Sequence, residues 1–77
     1  MKAMHIIHRL EQMDQLIRLK ATGSPKQFAA LIRCSESTMY NYLDMLKEMG
    51  GPIQYNKALR AYEYKQLVCL RMGYEKE

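Results

Sequence analysis

Between residues 4 and 21 the apolar positions Ile6, Leu10, Met13, Ile17 and Ala21 recur at spacings of four, three, four and four. That period is one face of an amphipathic helix. Glu11, Asp14, Arg18 and Lys20 fall off the stripe, and Asp14 and Arg18 form a favourable pair one turn apart. Ile7, Leu16 and Leu19 widen the apolar face, so this helix is expected to be covered on more than one side. Thr22-Gly23 is the expected stop, because Gly takes positive φ at little cost.

The next stretch, "SPKQFAALIRCSESTMYNYL", holds two helix starts. Ser24 caps, Pro25 suits the first helical position, and Gln27 can complete a capping box. Phe28, Leu31 and Ile32 are the apolar residues of this short helix, while Ala29 and Ala30 leave room for a close neighbour. The run stops at Arg33-Cys34. Ser35 is the next cap, with Glu36 near the positive end of the new helix dipole. Met39, Leu43, Leu46 and Met49 follow at four, three and three, and Gly50-Gly51-Pro52 closes the helix.

Past Pro52 the period changes to that of a strand. Ile53 and Tyr55 alternate with Gln54, and Tyr62 and Tyr64 alternate with Glu63. Asn56-Lys57-Ala58-Leu59-Arg60 is the expected hairpin loop, although it lacks a turn glycine. The tail "LVCLRMGYEK" fits a third strand or an irregular segment docked on the core. The expected organisation is one domain over 1–77, with its core in 4–64 and a tail in 65–77.

Composition narrows the functions. Seventy-seven residues with a 48% hydrophobic fraction allow one small core and no second lobe. No signal-like or membrane-spanning apolar run is present, so a cytoplasmic protein is expected. The net charge of +4 suits a polyanionic partner. No nucleophile–base pair, paired carboxylates, Gly-rich phosphate loop or metal-ligand cluster appears. An enzyme is therefore not expected, nor a cofactor, metal or small-molecule ligand.

Several residues have plain structural readings. Cys34 and Cys69 lie far apart, outside any C-x-x-C spacing, and read as small buried thiols. His5 and His8 share a helical face, but nothing nearby completes a metal set. The seven methionines sit mainly on apolar stripes as core filler, and the tyrosines partly form the inner face of the hairpin.

Two helices joined by a tight turn, the second with a polar leading turn, follow the layout of a helix-turn-helix. A long helix before the pair supplies the third wall of the core, and a hairpin after it makes a winged helix. The segments "LIRLKATGSP", "FAALIRCSESTMYNYL" and "LKEMGGPIQYN" carry a closer likeness. Over about residues 4 to 64 the chain resembles the winged helix-turn-helix domains of small bacterial transcriptional regulators. It is most similar to the DeoR-type and biotin-repressor-type modules. The resemblance implies a mainly α fold with a three-helix core and a two- or three-stranded wing, and a function in DNA binding. The chain departs from the family pattern in two respects. Arg33 stands where Gly is frequent, so the backbone either follows a different turn there or accepts a left-handed cost of ~1 kcal/mol. Ser37, Tyr40 and Asn41 stand where relatives often carry Arg or Lys.

The expected function is double-stranded DNA binding by a small transcriptional regulator, with helix 35–49 in the major groove and hairpin 53–64 as the wing. Residues 36, 37, 40, 41, 44 and 47 lie off the apolar stripe of that helix. Ser37, Thr38, Tyr40 and Asn41 then face the groove, with Ser35 at the helix start. Asn41 has the geometry to read adenine N6 and N7. Tyr42 is expected between the third helix and the first. Asp44 and Glu48 are unfavourable near phosphates and should point away. Lys57 and Arg60 at the hairpin tip suit backbone or minor-groove contact, and Lys26 suits a phosphate beside its helix end. The alternative is a winged-helix protein-interaction module without DNA binding, which the missing recognition-helix Arg keeps open. A homodimer is expected, since Leu67, Val68, Leu70 and Met72 of the tail and Ile7, Leu16 and Leu19 extend the apolar surface beyond the core.

Overall fold

In the computed structural model, which describes residues 3–66, 68–70 and 74–76, three helices precede two β-hairpins. The helices are α1 (Ala3–Arg18), α2 (Pro25–Leu31) and α3 (Glu36–Glu48). Strands β1 (Ile53–Asn56) and β2 (Ala61–Tyr64) pair antiparallel, with Ile53 opposite Tyr64 and Asn56 opposite Ala61. Strands β3 (Val68–Leu70) and β4 (Tyr74–Lys76) form a separate antiparallel pair.

The capping signals operate as their chemistry requires. The Ser24 hydroxyl accepts the Gln27 amide at 3.3 Å, and Gln27 Oε1 accepts the Ser24 amide at 2.8 Å. This reciprocal box starts α2, with Pro25 in its first turn. Gly23 sits just before it at φ +69, and a Cβ there would overlap the Gln27 side chain that closes the box. Position 23 therefore excludes other residues twice over, by conformation and by space.

All three helices end in the same double hydrogen bond. Ala21 donates to the Leu16 carbonyl and Lys20 to Ile17; Cys34 to Ala29 and Arg33 to Ala30; Gly51 to Leu46 and Gly50 to Lys47. This is a Schellman closure, which turns one residue left-handed. Those residues are Lys20 at φ 56, Arg33 at φ 56 and Gly50 at φ 100. The first helix thus ends at Arg18, three residues before the expected Ala21, and Lys20 rather than Gly23 makes the turn. Arg33 takes a left-handed conformation that glycine adopts more readily, at a cost of about 1 kcal/mol.

The core lies where α1, α2, α3 and the first hairpin meet. Met13, Ile17, Phe28, Ile32, Met39 and Leu46 are fully buried, with Leu10, Tyr42, Leu43, Ile53 and Tyr62 nearly so. Burying each large side chain contributes about 1.5–3 kcal/mol. Arg9 donates to the Ile32 carbonyl and Gln12 to the Leu31 carbonyl at 3.4 Å, so α1 also supplies donors to the end of α2.

Several expectations are corrected. Of the three apolar residues expected on α2, Phe28 and Ile32 are buried but Leu31 is 49% exposed. The α2 turn that buries Phe28, Ala29 and Ile32 leaves Leu31 and Ala30 on the outer side. Ile7 and Leu19 were expected under cover and are 47% and 69% exposed, while Leu16 is half-buried. Met45, off the α3 stripe, is also exposed. The described tail residues 68–70 and 74–76 are strands, as the third-strand expectation allowed, but they pair with each other, so the first hairpin has two strands. Leu67 and Met72 lie outside the described residues, as do the side chains of Cys69 and Leu70.

A polar cluster pins the tail to α1. Asp14, 9% exposed, accepts from the Tyr64 hydroxyl at 2.6 Å and from Arg18 at 3.2 Å. Arg18 also donates to the Val68 carbonyl at 2.6 Å and lies over the Tyr64 ring at 5.5 Å. The i,i+4 pair read from the sequence therefore does more than stabilise a helix face. It ties β2 and β3 to α1. Among the described residues, no buried side-chain polar atom lacks a partner.

Candidate nucleic-acid interface

Helix α3 has one buried and one open face. Met39, Tyr42, Leu43 and Leu46 are buried. Tyr42 is 5% exposed, as expected for a residue packed inward. Glu36, Ser37, Tyr40, Asn41, Asp44 and Lys47 are all exposed, as is Glu48. The open face is thus mainly polar, with Met45 as an exposed apolar residue, and carries one cation, Lys47, in the last turn.

The two hydroxyls at the head of α3 are largely committed. Ser35 Oγ accepts the Thr38 amide at 3.1 Å and donates to Thr38 Oγ1 at 3.0 Å. This uses the Ser35 proton, so its main contribution to any partner is the shape of the first turn. Thr38 is half-buried, while Ser37 and Asn41 stand in solvent. Tyr40 is 43% exposed, and its phenol lies near that of Tyr62.

Tyr62, on β2, joins the hairpin to the helices. Its ring meets Phe28 of α2 at 5.6 Å between centroids and Tyr55 of β1 edge-on at 5.0 Å. Its amide donates to Thr22 Oγ1 at 2.8 Å, and the fully buried Thr22 hydroxyl donates to the Gly23 carbonyl at 3.0 Å. Burial first, then the nearby Tyr40 phenol, holds the Tyr62 phenol far above the ordinary tyrosine range. Neither role was read from the sequence, where Thr22 served only as part of a helix stop. A β-branched hydroxyl residue beside Gly is too common in loops to mark such a site.

The hairpin tip is a four-residue loop, 57–60, with Lys57, Ala58, Leu59 and Arg60 all exposed. Asn56 Oδ1 accepts the Leu59 amide at 3.1 Å, and Arg60 is left-handed at φ 53. The nearest acid on the hairpin, Glu63, is occupied. Gln54 donates to it at 2.7 Å and Asn56 at 3.3 Å, and Lys20 lies 4.0 Å away. The Gln54 hydrogen bond, with those from Asn56 and the Lys20 charge, keeps its carboxyl below the usual range. Glu63 is therefore a satisfied anion at neutral pH.

Lys26 is exposed in the first turn of α2, just after the loop whose Thr22 holds Tyr62. Arg33, also exposed, precedes the α3 cap by two residues; it was read only as a turn position, not as a cation near that helix. The structure thus places Ser37, Thr38, Tyr40 and Asn41 on α3 with Ser35 as its cap, and Lys57 and Arg60 on the loop of a hairpin whose Tyr62 lies near Tyr40. Lys26 lies apart, on α2.

The remaining chemistry is sparse. His5, His8, Arg9 and Gln12 line a shallow cleft on α1. No group of three or more His, Cys, Asp or Glu side chains suited to a metal occurs among the described residues. Burial lifts the Cys34 thiol above its ordinary value, which the charge of Arg9 partly offsets, so it is a protonated thiol at neutral pH. No described helix is long and apolar enough to cross a membrane. No family model, curated protein or solved structure matches the chain.

Proposed function

We propose that this chain is a winged helix-turn-helix protein that binds double-stranded DNA as a small transcriptional regulator. Helix α3 enters the major groove and the β1–β2 hairpin acts as the wing. The observation that carries this reading is the open polar face of α3 together with a cation-tipped hairpin whose Tyr62 lies near Tyr40 of that helix. Asn41 faces base edges, and Ser37 and Thr38 meet base or phosphate oxygens. Lys57, Arg60 and Lys26 meet phosphates. With Lys47 the only cation on α3, affinity comes mainly from the hairpin and sequence preference from Asn41.

Selection of bound duplexes, followed by a fluorescence titration at several salt concentrations, tests this reading. Asn41→Ala should relax preference at one base pair and cost about 1–3 kcal/mol against the best site. Ser37→Ala should cost less. A selected motif that Asn41→Ala leaves untouched would move the groove-facing register elsewhere. No salt-sensitive binding by the wild type, even at low salt, would end the DNA reading.

Specific observations favour a second reading, a winged-helix module that binds protein. Glu36, Asp44 and Glu48 are exposed on α3 and repel phosphates if turned toward them, while Ile7, Leu19 and Leu31 offer apolar surface. A homodimer belongs to the DNA reading, because one small module buries only about 600–1,000 Å² on DNA. Its surface would include Ile7 and Leu19, since Val68 is buried within its own chain. Sedimentation equilibrium should give a dimer mass on a duplex with two half-sites. A monomer mass, both free and on that duplex, excludes it.

A further inference from the structure

The loop Lys57-Ala58-Leu59-Arg60 presents a leucine between two cations. Leu59 is 52% exposed, although Ile53, Ala61 and Tyr62 on the adjoining strands are buried. The loop does not leave Leu59 free to fold back onto that core. Its amide is held by Asn56 Oδ1, and the Asn56 amide group is held in turn by Glu63. Arg60 then reverses the chain at φ 53, and Ala61 pairs with Asn56 to lock the base of the loop. A constrained loop thus holds an apolar side chain out in water, with one positive charge on each side.

We infer that Leu59 is a wedge that enters the DNA minor groove and partly opens a base step, while Lys57 and Arg60 hold the phosphate rails on either side. This rests on the DNA-binding reading above. Apolar wedges of this kind unstack a step and bend the duplex toward the major groove. Pyrimidine–purine steps such as TA open most readily, so the wedge adds a preference for a deformable step where no base edge is read. The charge pattern fits one occupant: two cations flanking an apolar tip match two phosphate strands flanking a stacked floor. Glu63, the acid nearest the loop on this hairpin, is already hydrogen-bonded by Gln54 and Asn56 and lies 4.0 Å from Lys20.

The experiment separates bending from binding. A mixed-sequence duplex carries dyes at its two ends and 2-aminopurine within a central TA step, and anisotropy follows binding independently. The wild type should bring the ends closer and raise 2-aminopurine fluorescence. Leu59→Ser should keep the dependence of affinity on salt but lose both signals, and Leu59→Met should retain them. Circular dichroism melts establish that the variants are folded, which the exposure of Leu59 favours. A wild type that binds without bending, or a Leu59→Ser protein that bends the duplex as well as the wild type, overturns the wedge and leaves the DNA-binding reading intact. A wild type that does not bind the duplex at low salt removes both.

Discussion

Replacing Tyr62 with alanine is expected to lower the unfolding free energy by about 3–5 kcal/mol, the range for deleting a buried aromatic side chain. In a domain this small, with a typical stability of about 5–15 kcal/mol, that is a large share of the total. The ring is 6% exposed and packs against both Phe28 and Tyr55. Alanine leaves a cavity at the junction of α2 and the first hairpin. Tyr62→Phe keeps the ring and removes only the hydroxyl, so it should cost far less than Tyr62→Ala. Urea denaturation of the two variants gives the comparison. Equal costs would mean that the ring is not what holds the hairpin in place.

The same residue predicts an alkaline limit. A tyrosine in the unfolded chain ionises near pH 10, whereas burial and the nearby Tyr40 phenol raise Tyr62 above that value in the fold. Above about pH 10 the unfolded state therefore binds fewer protons than the folded one, and stability falls with rising pH. The contribution is fully present below about pH 10 and is lost as pH climbs through the folded value. Tyr62→Phe should flatten that decline.

The parts of the fold legible in the sequence are those set by local chemistry. Ser24, Pro25 and Gln27 announced a capping box, and the box closes on those atoms. The stripe Met39, Leu43, Leu46 marked the buried face of α3, and the alternation around Ile53 and Tyr62 marked the paired strands. The end of α1 was less legible because Lys20 takes a left-handed conformation that Gly would have signalled. A Schellman closure is set by backbone hydrogen bonds and needs no glycine when those bonds offset the strain. Leu31 misled because a seven-residue helix is too short to define a period.

The candidate site divides along the same line. The open face of α3 follows from helical spacing, so Ser37, Tyr40 and Asn41 could be placed before any coordinates. The link from Tyr40 to Tyr62, and from Tyr62 to Thr22, joins residues 22 and 40 positions apart in the chain. No local pattern carries contacts of that separation. The tail was equally opaque, because its attachment depends on Arg18 reaching the Val68 carbonyl, 50 residues away.

If the hairpin is a wing, Lys57→Ala combined with Arg60→Ala should weaken binding to every duplex by a similar factor. Each phosphate contact releases about 0.9 counterion, so losing two should flatten the slope of log K against log salt by up to ~1.8. Near 0.1 M salt this corresponds to roughly a 10–100-fold loss of affinity. The loss should be uniform across sequences, because phosphate contacts carry no base information. That uniformity separates the effect from Asn41→Ala, which should act at one base pair. The substitutions should not disturb the core, since both side chains are exposed and the loop is closed by Asn56. Arg60 is the one exception to watch, because alanine at φ 53 keeps the strain of a left-handed residue. Arg60→Gly relieves that strain while still removing the charge, so Lys57→Ala with Arg60→Gly should show the same change in slope. A slope unchanged in both folded double variants would take the hairpin out of the interface and leave α3 and Lys26 to account for any binding that remains.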